Sequence, residues 1–200
     1  MKGFGDNYDS KKKVNKKQHT SIKQIINKAI ELHLKGDIPK ATKYYQQLIS
    51  QECNDERVFS NYGIILKDQG HLEKAEISLR KAIEINPNFA NAYLNLGNLL
   101  KDFGNLKEAE ISLRKAIEIN PNYIEAYLNI GIILRDLGNL EQAEISLRKA
   151  IEINPAFVEA YSNLGIILRD LGNLEQAEIS LRKAIEINPN YPEAHSNLGI

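Results

Sequence analysis

The 200-residue sequence predicts an all-α fold, an α-solenoid of stacked helix pairs, and three observations carry that prediction. Pro87, Pro121, Pro155 and Pro189 fall 34 residues apart, each directly after Ile-Asn. The block AEISLRKAIEINP ends at each of these prolines, four times without a change. Within each period the apolar residues recur at helical spacing in two runs, one on either side of a glycine. A fixed period of this length is the mark of a stack of supersecondary units, each burying its apolar face against its neighbours.

Residues 1–21 stand apart from the array. Lys11, Lys12, Lys13, Lys16 and Lys17 cluster there almost without apolar neighbours, and six lysines against Asp6 and Asp9 leave a charge of +4. That composition predicts a disordered basic tail. The array then occupies residues 22–200: a divergent unit at 22–55, units at 56–89, 90–123, 124–157 and 158–191, and a partial one at 192–200. In the unit at 124–157, Tyr127, Ile130, Gly131 and Leu134 predict a first helix ending near Gly138, which suits a left-handed C-terminal position. Asn139 is the predicted N-cap of the second helix, with Gln142 three residues on, a capping box repeated as Asn105/Glu108 and Asn173/Gln176. The second helix carries Ala143, Leu147, Ala150, Ile151 and Ile153 until Asn154-Pro155 stops it. The small residues Gly131, Ala143 and Ala150 let the paired helices approach closely. Glu144 and Arg148 form an i,i+4 pair worth about 0.3 kcal/mol on a solvated face.

These offsets resemble the tetratricopeptide-repeat family. The matching residues are an aromatic at the fourth position (Phe59, Tyr93, Tyr127, Tyr161), Tyr62, Leu96, Ile130 or Leu164 at the seventh, and Gly63, Gly97, Gly131 or Gly165 at the eighth. Alanines at the twentieth (Ala75, Ala109, Ala143, Ala177) and twenty-seventh positions (Ala82, Ala116, Ala150, Ala184) and the proline at the thirty-second complete the pattern. The unit at 22–55 departs from it, with Ile25, Lys28, Ala29 and Cys53 at four of these places, as a capping repeat does. The resemblance implies a right-handed superhelix whose concave side is lined by the first helices, through their second, fifth, sixth, ninth, twelfth and thirteenth positions.

On that face the sixth position is always asparagine: Asn61, Asn95, Asn129, Asn163 and Asn197. Each amide offers a donor and an acceptor, so a row of them can hold the backbone of an extended peptide whatever its side chains. The row is similar to the one in the repeat region of O-linked N-acetylglucosamine transferases. The thirteenth position is always aspartate (Asp68, Asp102, Asp136, Asp170), preceded by Lys67, Lys101, Arg135 or Arg169. The same resemblance gives those aspartates a substrate-contacting role; the plainer reading is a solvated charge pair near a helix end. Leu94, Leu128, Ile132 and Ile166 either face a ligand or pack between neighbouring first helices. A carboxylate clamp of the chaperone-binding type would use lysines and an arginine beside its asparagines. Asn98 and Asn129 match that pattern, whereas Leu94, Glu159 and Asn163 stand where the cations belong.

No catalytic constellation is present in the sequence. His19, His33, His71 and His195 are scattered without metal-ligand spacing, no phosphate loop occurs, and Cys53 is the only cysteine. His195, at the aromatic position of the partial unit, reads as a packing residue. No cofactor is implied. No apolar run approaches the ~20 residues of a membrane span. The 26 basic residues balance the 26 acidic ones, which argues against a nucleic-acid-binding field. The expected function is a protein-interaction scaffold that takes a protein or peptide ligand in the groove, in the cytoplasm. The alternative is the substrate-recruiting arm of a longer enzyme of glycosyltransferase or sulfotransferase type, its catalytic domain beyond residue 200. The partial last unit, lacking a polar capping helix, further predicts self-association through the C-terminal end.

Overall fold

The computed structural model describes residues 22–199, so the predicted basic tail at 1–21 lies outside the described residues. All regular structure in them is helical. Eleven helices run in order: α1 (22–34), α2 (Ile38–Ser50), α3 (Glu56–Asp68), α4 (Leu72–Ile85), α5 (Ala90–Asp102), α6 (Leu106–Ile119), α7 (Ile124–Asp136), α8 (Leu140–Ile153), α9 (Val158–Asp170), α10 (Leu174–Ile187) and α11 (Pro192–Leu198). Odd-numbered helices are the first of each pair and even-numbered helices the second.

The chain divides into two compact units, Met1–Pro87 and Asn88–Ile200. In the first, α3 packs on α2 and on α4. Ile26, Ala29 and Leu32 of α1, Ala41, Tyr45 and Leu48 of α2, and Val58 and Ile65 of α3 form its core. In the second, the pairs α5/α6, α7/α8 and α9/α10 make the most extensive contacts, and each pair packs on the next through α6 on α7 and α8 on α9. First helices also touch first helices, α5 with α7, α7 with α9 and α9 with α11. Of the apolar residues that the spacing picks out in one pair, Ile130, Leu134, Ala143, Leu147 and Ala150 are buried and Tyr127, Ile151 and Ile153 half-buried, while Ala126 and Ile133 are buried as well.

The turn inside each pair is a Schellman motif. The Gly138 N–H donates to Arg135 O at 2.9 Å and the Asn139 N–H to Leu134 O at 2.7 Å. Gly138 takes φ +80°, and Gly70, Gly104 and Gly172 lie within a few degrees of it. The predicted capping boxes are not formed. Asn105, Asn139 and Asn173 occupy the N-cap, yet none makes a side-chain capping bond. Each is also the last residue of the preceding motif, with ψ near +60°. Among the described residues the two N-caps that do form are aspartates: Asp37, on that same backbone at φ −79° and ψ 65°, accepts the Lys40 N–H at 3.3 Å, and Asp55, extended at φ −133° and ψ 118°, accepts the Arg57 N–H through Oδ1 at 3.0 Å. At the far end of the second helices, Asn154 turns extended before Pro155 and its Oδ1 accepts the Ala156 N–H at 3.0 Å.

Close approach within a pair rests on one contact. A Cβ on Gly131 would lie 2.8 Å from Leu147 Cγ; on Gly97 it would lie 2.6 Å from Leu113 Cγ, and on Gly165 2.6 Å from Leu181 Cγ. The leucine four residues beyond each pair's first alanine therefore crowds any side chain at the glycine, and Ala143 and Ala150 are themselves fully buried.

Candidate functional site

The asparagines of the sixth position sit half-buried at the same register of successive first helices. In the second compact unit Asn95, Asn129, Asn163 and Asn197 lie on α5, α7, α9 and α11, helices that touch in sequence. Asn61 takes the equivalent place on α3 in the first. Their local engagements differ. Asn163 Nδ2 donates to Glu159 O, one turn back on its own helix, at 2.8 Å. Asn129 makes no hydrogen bond among the described residues, so its amide is available in full. Asn61 approaches the Tyr45 hydroxyl without the geometry of a formed hydrogen bond. Burial pushes that hydroxyl up to about 12, and Asn61 opposes the shift. Asn98, at the ninth position of α5, buries its Oδ1 with no partner. An unsatisfied acceptor of this kind costs about 1–3 kcal/mol.

The four aspartates at the thirteenth position are all exposed at helix ends. Asp170 is nonetheless engaged: Arg135 Nε of the preceding pair donates to its Oδ2 at 3.1 Å. The basic residue at the twelfth position thus ties one first helix to the next. In the divergent pair His33 holds the twelfth position and feels the charge of Asp68, while burial, the larger influence, pushes its imidazole below the usual range. The His33 ring stands edge-on to Tyr45, centroids 6.1 Å apart.

The fifth position is closed in three units and open in others: Ser60 and Ser162 are 1% and 2% exposed and Leu94 is buried, whereas Leu128 is half-buried and Ser196 exposed. Asn91, at the second position, accepts a hydrogen bond from the Tyr123 hydroxyl at 3.0 Å. His195, as a packing residue should, is half-buried, and its Nε2 lies 2.8 Å from Pro189 O.

Two cavities lie away from the asparagines, against the second helices. One of about 740 Å³ is lined by Ile151, Tyr161, Leu164 and Ile179 with charged side chains around them. One of about 520 Å³ is lined by Ile49, Phe59, Tyr62 and Ile77. The two sets occupy the same repeat positions. Sequence reasoning passed over the isoleucine at the twenty-second position. Ile77, Ile111, Ile145 and Ile179 are 69%, 69%, 68% and 60% exposed. The signal was legible: in AEISLRKAI the buried stripe runs through the first alanine, the leucine and the second alanine, and the first isoleucine falls off it.

Among the described residues no group of three or more His, Cys, Asp and Glu is placed to hold a metal ion, and no helix is long and apolar enough to cross a membrane. Residues 124–157 and 158–191 each match a model of the tetratricopeptide repeat, and residues 28–123 match the middle TPR-like domain of cilia and flagella-associated protein 70. No curated protein sequence matches significantly. Among solved structures, MamA is similar at 26% identity and a TM-score of 0.73, over 80% of this chain and 94% of that one. YrrB, described as a TPR protein with an unusual peptide-binding site, is 24% identical with a TM-score of 0.73, over 88% and 91% of the two chains. PilF of Pseudomonas aeruginosa is 13% identical with a TM-score of 0.80, over 90% and 82%.

Proposed function

Because the chain belongs to the tetratricopeptide-repeat family, whose arrays generally mediate protein–protein interactions, we propose that it is a non-enzymatic scaffold holding an extended peptide along the asparagine-bearing face of its first helices. The observation that carries this reading is the common register of Asn95, Asn129, Asn163 and Asn197, one half-buried amide per first helix. An extended peptide presents alternating N–H and C=O groups, and an amide can answer both. Asn129 is free to do so, and Asn163 needs only to exchange its bond to Glu159 O. Ligation also gives Asn98 an outlet, since turning its unpaired Oδ1 toward a ligand N–H removes a buried unsatisfied acceptor. The Arg135–Asp170 bridge supports the face by fixing the spacing of α7 and α9. That YrrB carries a peptide-binding site in the same fold supports a peptide as the ligand class.

The test is replacement of Asn95, Asn129 and Asn163 together by Ala. Helicity by circular dichroism is expected to stay at the wild-type level. Retention of extended peptides on an immobilised random-peptide array is expected to fall about a hundredfold, each of the three lost pairings contributing about 1 kcal/mol. Undiminished retention by the variant removes the groove from the mechanism.

A further inference from the structure

The recess of about 520 Å³ between α2, α3 and α4 differs from the one at the same place in the later repeats by the charge at its rim. Its walls are apolar: Ile49 of α2, Phe59, Tyr62 and Leu66 of α3, and Ile77 of α4. The polar groups set among them are already engaged. Ser78 Oγ donates to Phe59 O at 2.9 Å, Lys81 is paired with Glu84 at 2.6 Å, and Arg80 with Glu76 at 2.7 Å. Lys74 is the exception. It lines the recess, is exposed, and has no hydrogen bond or ion pair among the described residues. It also stands in the first turn of α4, where the helix dipole favours a negative charge.

The counterpart of about 740 Å³ offers no such charge. There the twenty-fifth position of one repeat and the nineteenth of the next are Arg148 and Gln176, and Arg148 Nη2 donates to Gln176 Oε1 at 3.2 Å, joining α8 to α10. Each cation in its lining has a carboxylate: Arg148 has Glu144, Arg182 has Glu178, and Lys183 has Glu186. In the N-terminal recess the same two places hold Gln46 and Lys74. Gln46 turns to α3, where its Nε2 donates to the Tyr62 hydroxyl at 3.1 Å. The ammonium of Lys74 is left over.

We infer that this recess binds a medium-chain alkanoate, its hydrocarbon chain along the apolar walls and its carboxylate on Lys74. Four arguments select that ligand. The first is size: small-molecule sites span about 300–1,000 Å³ and combine apolar walls with a few placed polar groups, as here. The second is shape. The lining follows α4 from Lys74 to Glu84, about 15 Å along the helix, which suits a chain better than a compact ring. The third is polarity: a peptide laid here would bury N–H and C=O groups against walls whose own polar atoms are engaged, whereas a hydrocarbon chain brings none. The fourth is charge. One unpaired ammonium matches one negative charge, while a phosphate monoester would bring up to about two. Lys81, at the far end, is held by Glu84, so the headgroup has one place to settle.

The test titrates the full chain with decanoate, below its micelle-forming concentration, in a calorimeter, with decanol as the uncharged control. One decanoate per chain is expected, held about fivefold more tightly than decanol, the advantage of one exposed ion pair. Lys74→Gln should weaken decanoate about fivefold and leave decanol unchanged. Gln46→Arg/Lys74→Gln, which sets the later repeats' bridging pair across the recess, should weaken both ligands. Gln46 and Lys74 are exposed, so helicity by circular dichroism should stay at the wild-type level. A wild type that binds no decanoate overturns the inference, and so does a Lys74→Gln chain that binds it undiminished. Decanol held as tightly as decanoate, or two equal decanoate sites per chain, overturns it as well. Displacement of decanoate by an acidic peptide would make the recess a peptide site and discard the alkanoate. Replacing Asn95, Asn129 and Asn163 should not change decanoate binding, so this result and the peptide result are separable.

Discussion

Gly165→Ala is the sharpest probe of how each helix pair is closed. The new Cβ would stand 2.6 Å from Leu181 Cγ, 2.8 Å from its Cδ2 and 3.2 Å from Ala177 O, where ordinary contact begins at 3.4 Å. Relief needs a displacement of about 0.8 Å between α9 and α10. Leu181 is 3% exposed and cannot swing outward. Overpacking of this kind costs about 2 kcal/mol, and the better helix propensity of alanine returns about 1 kcal/mol, leaving a net loss of about 1 kcal/mol. With a urea slope of about 2 kcal/mol per molar, the midpoint should drop by about 0.5 M at unchanged slope. Gly131→Ala meets Leu147 Cγ at 2.8 Å and Ala143 O only at 3.5 Å, so it should also lose stability, but less than Gly165→Ala. The assay is urea unfolding of both variants followed by helicity. Adding Leu181→Ala to Gly165→Ala should cost less than Leu181→Ala alone, since the crowding is then relieved. A raised midpoint for Gly165→Ala, or an equal loss in Gly131→Ala, would refute the account and leave helix propensity as the governing effect.

Two further outcomes follow from the caps and the histidine. Asp55→Ala removes a formed N-cap bond and a carboxylate that also holds the Arg57 guanidinium at 2.7 Å, and should lower stability by about 1 kcal/mol, whereas Asn139→Ala should change the urea midpoint little because its side chain caps nothing. His33 binds its proton less readily folded than unfolded, since burial outweighs the attraction of Asp68. Its contribution is therefore fully present above the unfolded value of 6.5 and lost as pH falls through the lower folded value, and unfolding midpoints compared between neutral pH and pH below 6.5 should fall more steeply in the wild type than in His33→Gln. Identical slopes would exclude the histidine as their source.

Much of this was legible before any coordinates, because repetition multiplies weak signals. The helix pairs, the glycine at φ +80° and the stop at Asn-Pro each follow from local chemistry seen four times over. What eluded the sequence depended on the environment of a residue rather than its type. Asn139 has the composition of a cap, yet its amide makes no capping bond where the Asp37 carboxylate, on a like backbone, does. The resemblance puts the fifth position on the concave face, yet Ser162 is buried. Asp170 read as either a ligand contact or a solvated charge, and its bond to Arg135 depends on how far one pair is displaced from the next, which no single period encodes. The two cavities likewise need two successive second helices and the first helix between them.

The repeat thereby separates two surfaces by helix. Packing within the pair fixes the alanines, the leucine and the glycine it meets, and α6 on α7 and α8 on α9 join one pair to the next. Nothing in that packing asks for an isoleucine at the twenty-second position, where burial is absent in all four repeats. Nor does it ask for asparagine at the sixth, where the Asn129 side chain makes no hydrogen bond among the described residues. Residues that a fold does not need and that recur in every unit report on what lies outside the fold. One set is polar and sits on first helices whose neighbouring positions vary; the other is apolar and sits on second helices that do not vary from the twentieth to the thirty-second position. Variable surroundings suit a ligand read differently along its length.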